Sequence, residues 1–199
     1  MNEPLRIAVA DDEADMRDWF ERMLPTLGHQ VVSVAENGVE LVEHCRALKP
    51  DLVISDIKMP DMDGIDASQA ICADRPLPII LVSAYHDAEL IKRAEADHVL
   101  AYLVKPIGKA ALEPAIALAM RRFTELMELR KEAADLRQAL ADRRIIEQAK
   151  GVLMKVTNID ERSAFRRLQE LASDKNQKLI DAAQAVLALE KALRPANGK

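Results

Sequence analysis

Aromatic residues are nearly missing from this 199-residue chain, at 3 %, with one Trp, two Tyr and three Phe. That scarcity excludes the aromatic-rich sheets on which single-stranded RNA bases stack. Cysteine is as rare. Cys45 and Cys72 stand far apart without CxxC or Cys/His ligand spacing, and His29, His44, His86 and His98 are equally scattered. Two buried reduced thiols are therefore expected, rather than a disulfide or a zinc site. No N-terminal apolar segment and no run of about 18 apolar residues occurs, so nothing marks secretion or membrane spanning, and the chain reads as soluble and cytoplasmic. No helix-turn-helix with a glycine-containing turn is evident either.

What is present divides into two halves. Residues 1–110 hold 11 Lys/Arg against 20 Asp/Glu, a net of −9, and residues 111–199 hold 17 against 13, a net of +4, which together give the chain's −5. The second half thus carries a weak hint of a polyanionic partner. Five short apolar runs, at 7–10, 31–35, 52–55, 79–83 and 102–104, alternate with helical patterns near 14–24, 39–48, 65–73 and 88–96. Such alternation means βα units around a five-stranded parallel, doubly wound sheet. From Lys109 strand-like runs stop, and Gly151 is the only glycine between Gly108 and the 196–199 tail, which is expected to lack order. Leu126, Leu129, Ala133, Leu136 and Leu140 fall in the 3-4 spacing of a coiled-coil seam, over too few heptads to exclude a helix packed on a neighbour. Asp160 marks a new helix start and 173–176 its end, so a long helix and a small three-helix unit should follow the sheet.

The third run ends in Asp56, at the carboxyl edge where open α/β sheets place their ligands. The first ends in Asp11-Asp12, the fourth in Ser83-Ala84 and the fifth in Lys105-Pro106. Taken singly these are a turn aspartate, a helix-capping pair, a turn serine and a surface lysine. Taken together, three carboxylates converge at one edge, and their repulsion calls for protons or a hard divalent cation such as Mg²⁺. The chemistry that uses all of them is phosphoryl transfer to the Asp56 carboxylate.

Over about residues 4–120 these positions, with Lys58-Met59-Pro60 and Asp63-Gly64, resemble the receiver domain of two-component response regulators, a flavodoxin-like fold. The resemblance implies that Asp56 accepts a phosphoryl group from a sensor histidine kinase, while Asp11, Asp12, Asp56 and the backbone carbonyl of Lys58 hold Mg²⁺. It also makes Ser83 and Lys105 the groups that sense the phosphoryl, and Tyr102 the aromatic that reorients on activation. The segment 95–101 lacks the glycine that receivers commonly carry there. A haloacid-type phosphatase would need a second aspartate two residues past the nucleophile, where Lys58 stands, so no enzyme activity beyond self-dephosphorylation is expected.

In the second half, Ala149 and Gly151 would let another helix approach closely. Nine Lys/Arg against five Asp/Glu across 143–178 permit one basic face. Residues 145–190 resemble the ANTAR domain of transcription antitermination regulators, in the run 147–154, in Ala164-Phe165-Arg166-Arg167-Leu168, and in Asn176, Leu179, Asp181 and Ala182-Ala183. The resemblance implies binding of paired RNA hairpins in nascent transcripts; a homodimer formed on activation is expected to pair two such units, and Arg144, Lys150, Arg166 and Arg167 are the expected RNA contacts. The expected division is 1–120 receiver, 121–144 helical linker and 145–194 RNA-binding unit. A receiver whose helical output binds protein or DNA is the alternative.

Overall fold

The computed structural model describes residues 3–84 and 99–193. The helix expected at 88–96, residues 95–98 of the glycine-free segment and the 196–199 tail lie outside the described residues. Five parallel strands, β1 (Arg6–Ala10), β2 (Gln30–Ala35), β3 (Leu52–Asp56), β4 (Ile79–Ser83) and β5 (Val99–Val104), form one sheet in the order β2-β1-β3-β4-β5. Three helices, α1 (Ala14–Thr26), α2 (Gly38–Leu48) and α3 (Gly64–Asp74), follow β1, β2 and β3.

The strands are apolar on both faces because both faces are covered. Alternate residues point opposite ways along a strand. Ala8, Ala10, Val53, Ile79 and Leu81 accordingly pack with Leu41, Val42, Ile65 and Ile71 of α2 and α3. Their neighbours Ile7, Val9, Ile54, Ile80 and Val82 pack with Phe20 and Leu24 of α1 and with Leu112 and Ile116. Each large aliphatic side chain fully buried this way contributes about 1.5–3 kcal/mol.

Two boundaries within the sheet domain differ from the sequence reading by more than one residue. β5 starts at Val99 rather than 102, because Val99 and Ala101 pair with Ile79 and Ile80 of β4. α1 continues past Leu24 through Pro25 to Thr26. A proline in a last turn removes a single backbone donor, so the helix does not have to stop before it.

The chain forms two compact units divided between Met127 and Glu128. Helix α4 (Lys109–Thr157) begins in the first, and α5 (Glu161–Asp174) and α6 (Leu179–Leu193) belong to the second. Asp160 caps α5, its Oδ1 accepting from Ser163 N at 3.0 Å. Asn158 and Asn176, just past helix ends, take φ of 55° and 48°, the left-handed region that asparagine tolerates. The core of this unit is Ala149, Leu168 and Ala183, with Ile145, Ile146, Leu153 and Val186 against it. Ala149 is thus the small residue that admits neighbouring helices. Gly151 is not, since it is exposed and a Cβ built there would meet nothing within 4 Å. No described helix is long and apolar enough to cross a membrane.

Candidate functional site

Parallel register brings the acids together. Ala10 of β1 pairs with Ser55 of β3, so the residues that follow, Asp11 and Asp56, leave the sheet side by side. Asp11 is fully buried and Asp56 is 7 % exposed, whereas Asp12 is exposed. Asp11, Asp12 and Asp56 each offer a carboxylate oxygen within 4.8 Å of the others. Asp11 N donates to Ala35 O at 3.2 Å and Asp11 Oδ1 accepts from Glu13 N at 3.0 Å. The turn after Asp56 folds back on it. Gly64 N donates to Ile57 O at 2.8 Å, and a Cβ at Gly64 would run into the Asp56 carbonyl. Asp63 then caps α3 by accepting from Asp66 N at 2.8 Å. Lys58, in that turn, is exposed.

Lys105 reaches the same place from β5, beside a cis Lys105-Pro106 bond. Its backbone N donates to Ser83 O at 2.8 Å, which joins the ends of β4 and β5. Its Nζ lies 3.0 Å from Asp11 Oδ2, 3.0 Å from Glu13 Oε1 and 3.7 Å from Asp56 Oδ2. The hydrogen bond to Asp11 goes to Oδ1, at 3.3 Å. Asp11 Oδ2 is buried with that ammonium close but out of line for a hydrogen bond, and with no other donor among the described residues. Ser83 is buried at the end of β4, and Tyr102 is half-buried against the core beneath α2 and α3.

Burial dominates the electrostatics. It pushes the Asp56 carboxyl up to about 6, against the pull of the Lys105 charge and with further repulsion from Asp11. The Asp11 carboxyl is raised as well, again chiefly by burial, which its hydrogen bond from Lys105 only partly offsets. For Lys105, burial pulls the ammonium down, but hydrogen bonds to Glu13 and Asp11 and the Asp56 charge together outweigh it and leave it raised. An all-oxygen cluster of three carboxylates, two of them buried and disfavoured as anions by desolvation, fits a hard divalent cation.

The sequence-predicted pocket residues Asp11, Asp12, Asp56, Ser83 and Lys105 therefore lie at one sheet edge. Glu13 and Arg17 were missed. Glu13 was visible as the third acid of its run. Arg17 had no visible signal, because the partners it finds there are the backbone carbonyls of Asp11 and Asp12.

The expected RNA contacts do not share one environment. Arg144, Arg166 and Arg167 are exposed, with Arg167 Nη1 3.1 Å from Glu170 Oε2. Lys150 departs from expectation. It is only 7 % exposed, with its Nζ 2.8 Å from Glu147 Oε1, 2.7 Å from Glu161 Oε1 and 5.9 Å from the centre of the Phe165 ring. Hydrogen bonds to both glutamates hold its ammonium above the ordinary range. Its ammonium thereby links α4 to α5 through Glu161.

Comparison with known proteins agrees with this architecture. Residues 7–117 match the response regulator receiver domain family, and residues 134–187 match the ANTAR domain family. The chain belongs to the response regulators of two-component systems and joins a receiver to an ANTAR domain. It is 40 % identical over 184 residues to the transcriptional regulatory protein PdtaR of Mycobacterium tuberculosis, covering 92 % of this chain and 90 % of that one. Among solved structures it is similar to a response regulator receiver domain protein from Clostridium thermocellum, at 27 % identity and a TM-score of 0.56, covering 61 % of this chain and 98 % of that one. It is also similar to a chain of the CheX-CheY-BeF3-Mg complex from Borrelia burgdorferi, at 25 % identity and a TM-score of 0.54, covering 57 % of this chain and 87 % of that one.

Proposed function

We propose that this protein is a phosphorylation-controlled RNA-binding regulator that acts in transcription antitermination. Asp56 is the phosphoacceptor. One of its carboxylate oxygens forms a new P–O bond as the P–N bond of a phosphohistidine on a sensor histidine kinase breaks, and the electron pair leaves with the imidazole nitrogen, which takes up a proton. Mg²⁺, held by Asp11, Asp12, Asp56 and the Lys58 carbonyl, would neutralise the phosphoryl oxygens. Lys105 and Ser83 then turn to the new dianion and Tyr102 responds. The observation that carries this reading is Asp56 buried beside Asp11 and Asp12 with the Lys105 ammonium 3.7 Å away. A chain of similar fold belongs to a complex that contains BeF3 and Mg, which supports a Mg²⁺ site here.

The ANTAR match supports RNA hairpins in nascent transcripts as the target, and a cytoplasmic site of action is part of this reading. Residues 1–120 receive the signal, 121–144 link, and 145–194 bind RNA. Arg144, Arg166 and Arg167 make the phosphate contacts, with Lys150 supporting the helices that carry them. Leu129, Leu136 and Leu140, exposed by 63 %, 60 % and 67 %, are covered by the same helix of a second copy when the protein is activated. Two copies present two RNA-binding units to two hairpins. No turnover beyond self-dephosphorylation is assigned.

Mass spectrometry after incubation with acetyl phosphate and Mg²⁺ tests the receiver half. One added phosphoryl is expected in the wild type and none in Asp56→Asn; an unmodified wild type refutes it. Gel shifts with hairpin RNA against duplex DNA, read across salt concentration, test the output, and equal affinity for both refutes RNA specificity.

A further inference from the structure

Arg17 stands at the end of the first turn of α1, where the helix dipole disfavours a cation. Its surroundings explain its presence. A helical side chain leans toward the N-terminus of its helix, so that of Arg17 reaches back over the loop that leaves β1. Nη1 donates to Asp11 O and to Asp12 O, both at 2.9 Å, and Nη2 lies 2.7 Å from Glu36 Oε1 in the connection after β2. The side chain is 15 % exposed. One planar fork thus holds the two peptide carbonyls of the acidic pair and ties them to the neighbouring loop.

We infer that Arg17 is a positioning residue for the divalent cation, a role that rests on the proposed phosphoacceptor function. Holding the carbonyls of Asp11 and Asp12 fixes the backbone from which both carboxylates project. It does so without occupying any carboxylate oxygen of the cluster, because its own acid partner is Glu36. Lys105 is the contrasting cation, since it sits on Asp11 itself. Outer groups that orient metal ligands are typically worth about 10–100-fold in metal affinity.

Charge and positioning predict opposite signs. Removing a cation beside a dication site should tighten binding if Arg17 acted through charge alone, and loosen it if Arg17 holds the ligands in place. Calorimetric titration of the full chain with Mg²⁺ reads the difference. Arg17→Met is expected to bind at least about 10-fold more weakly, with Arg17→Lys falling between it and the wild type. Arg6→Ala is the matched control. Arg6 donates to Lys49 O and Leu48 O at 3.0 and 2.8 Å at the other end of β1, and its loss should leave Mg²⁺ affinity unchanged. Amide exchange on the metal-free protein provides a second readout, with the amides of residues 12 and 13 exchanging faster in Arg17→Met and not in Arg6→Ala. Unchanged or tighter Mg²⁺ binding by Arg17→Met overturns the inference and leaves the phosphoacceptor reading standing. A wild type that binds no Mg²⁺ overturns both.

Discussion

Asp56 carries the cost of its position. Its carboxyl is raised from the ordinary 3.8 to about 6, so between about pH 4 and pH 6 the folded protein holds a proton that the unfolded chain has released. The contribution of this group is fully present below about pH 4 and is lost as pH rises through about 6, on the order of 3 kcal/mol for the metal-free protein. Asp11 shifts the same way. Urea unfolding across this range should show stability falling with pH in the wild type and less so in Asp56→Asn, which should be the more stable of the two at pH 7. Because Mg²⁺ needs the ionised acids, it should raise the melting temperature at pH 7.5 and lose most of that effect at pH 5. Asp56 and Lys105 were legible in the sequence because the chemistry dictates the residue type and a strand end dictates the place. The pairing of Lys150 was not legible, because an exposed lysine and a buried ion-paired one look alike until Glu161 is known to lie opposite. Lys150→Met should lower the melting temperature of the C-terminal unit, because Glu147 and Glu161 lose their shared cation; unchanged melting would contradict a fastening role.

At the scale of elements, capping was the most readable feature. Asp160→Ala should lower the melting temperature in thermal unfolding, since the Ser163 N–H loses its acceptor. The helical periodicity of α4 was equally plain, but periodicity names a face without naming what covers it. Leu129, Leu136 and Leu140 lie exposed on the single chain. Leu136→Arg should therefore leave melting unchanged and abolish the association that phosphorylation induces, as read by sedimentation. A lowered melting temperature of the monomer would instead mean that the leucine packs within its own chain. The start of β5 was misread for a different reason, because strand pairing to β4 is a long-range fact that a local pattern does not contain.

At the scale of the molecule, an acidic receiver and a more basic helical unit occupy one chain, with α4 running from Lys109 to Thr157 between them. The fold class was legible because a parallel sheet and an all-helical unit leave different hydrophobic periods. The traffic between the two was not, since coupling is a difference between two states and one sequence encodes both. The central claim is that the state of Asp56 sets RNA affinity. The most direct measurement is the affinity of the full-length protein for a two-hairpin RNA with and without acetyl phosphate and Mg²⁺, in wild type and in Asp56→Asn. The account predicts binding at least about 10-fold tighter for the phosphorylated wild type, the lower range of typical allosteric coupling, and no response in Asp56→Asn. Equal RNA affinity in the phosphorylated and unphosphorylated wild type would contradict it.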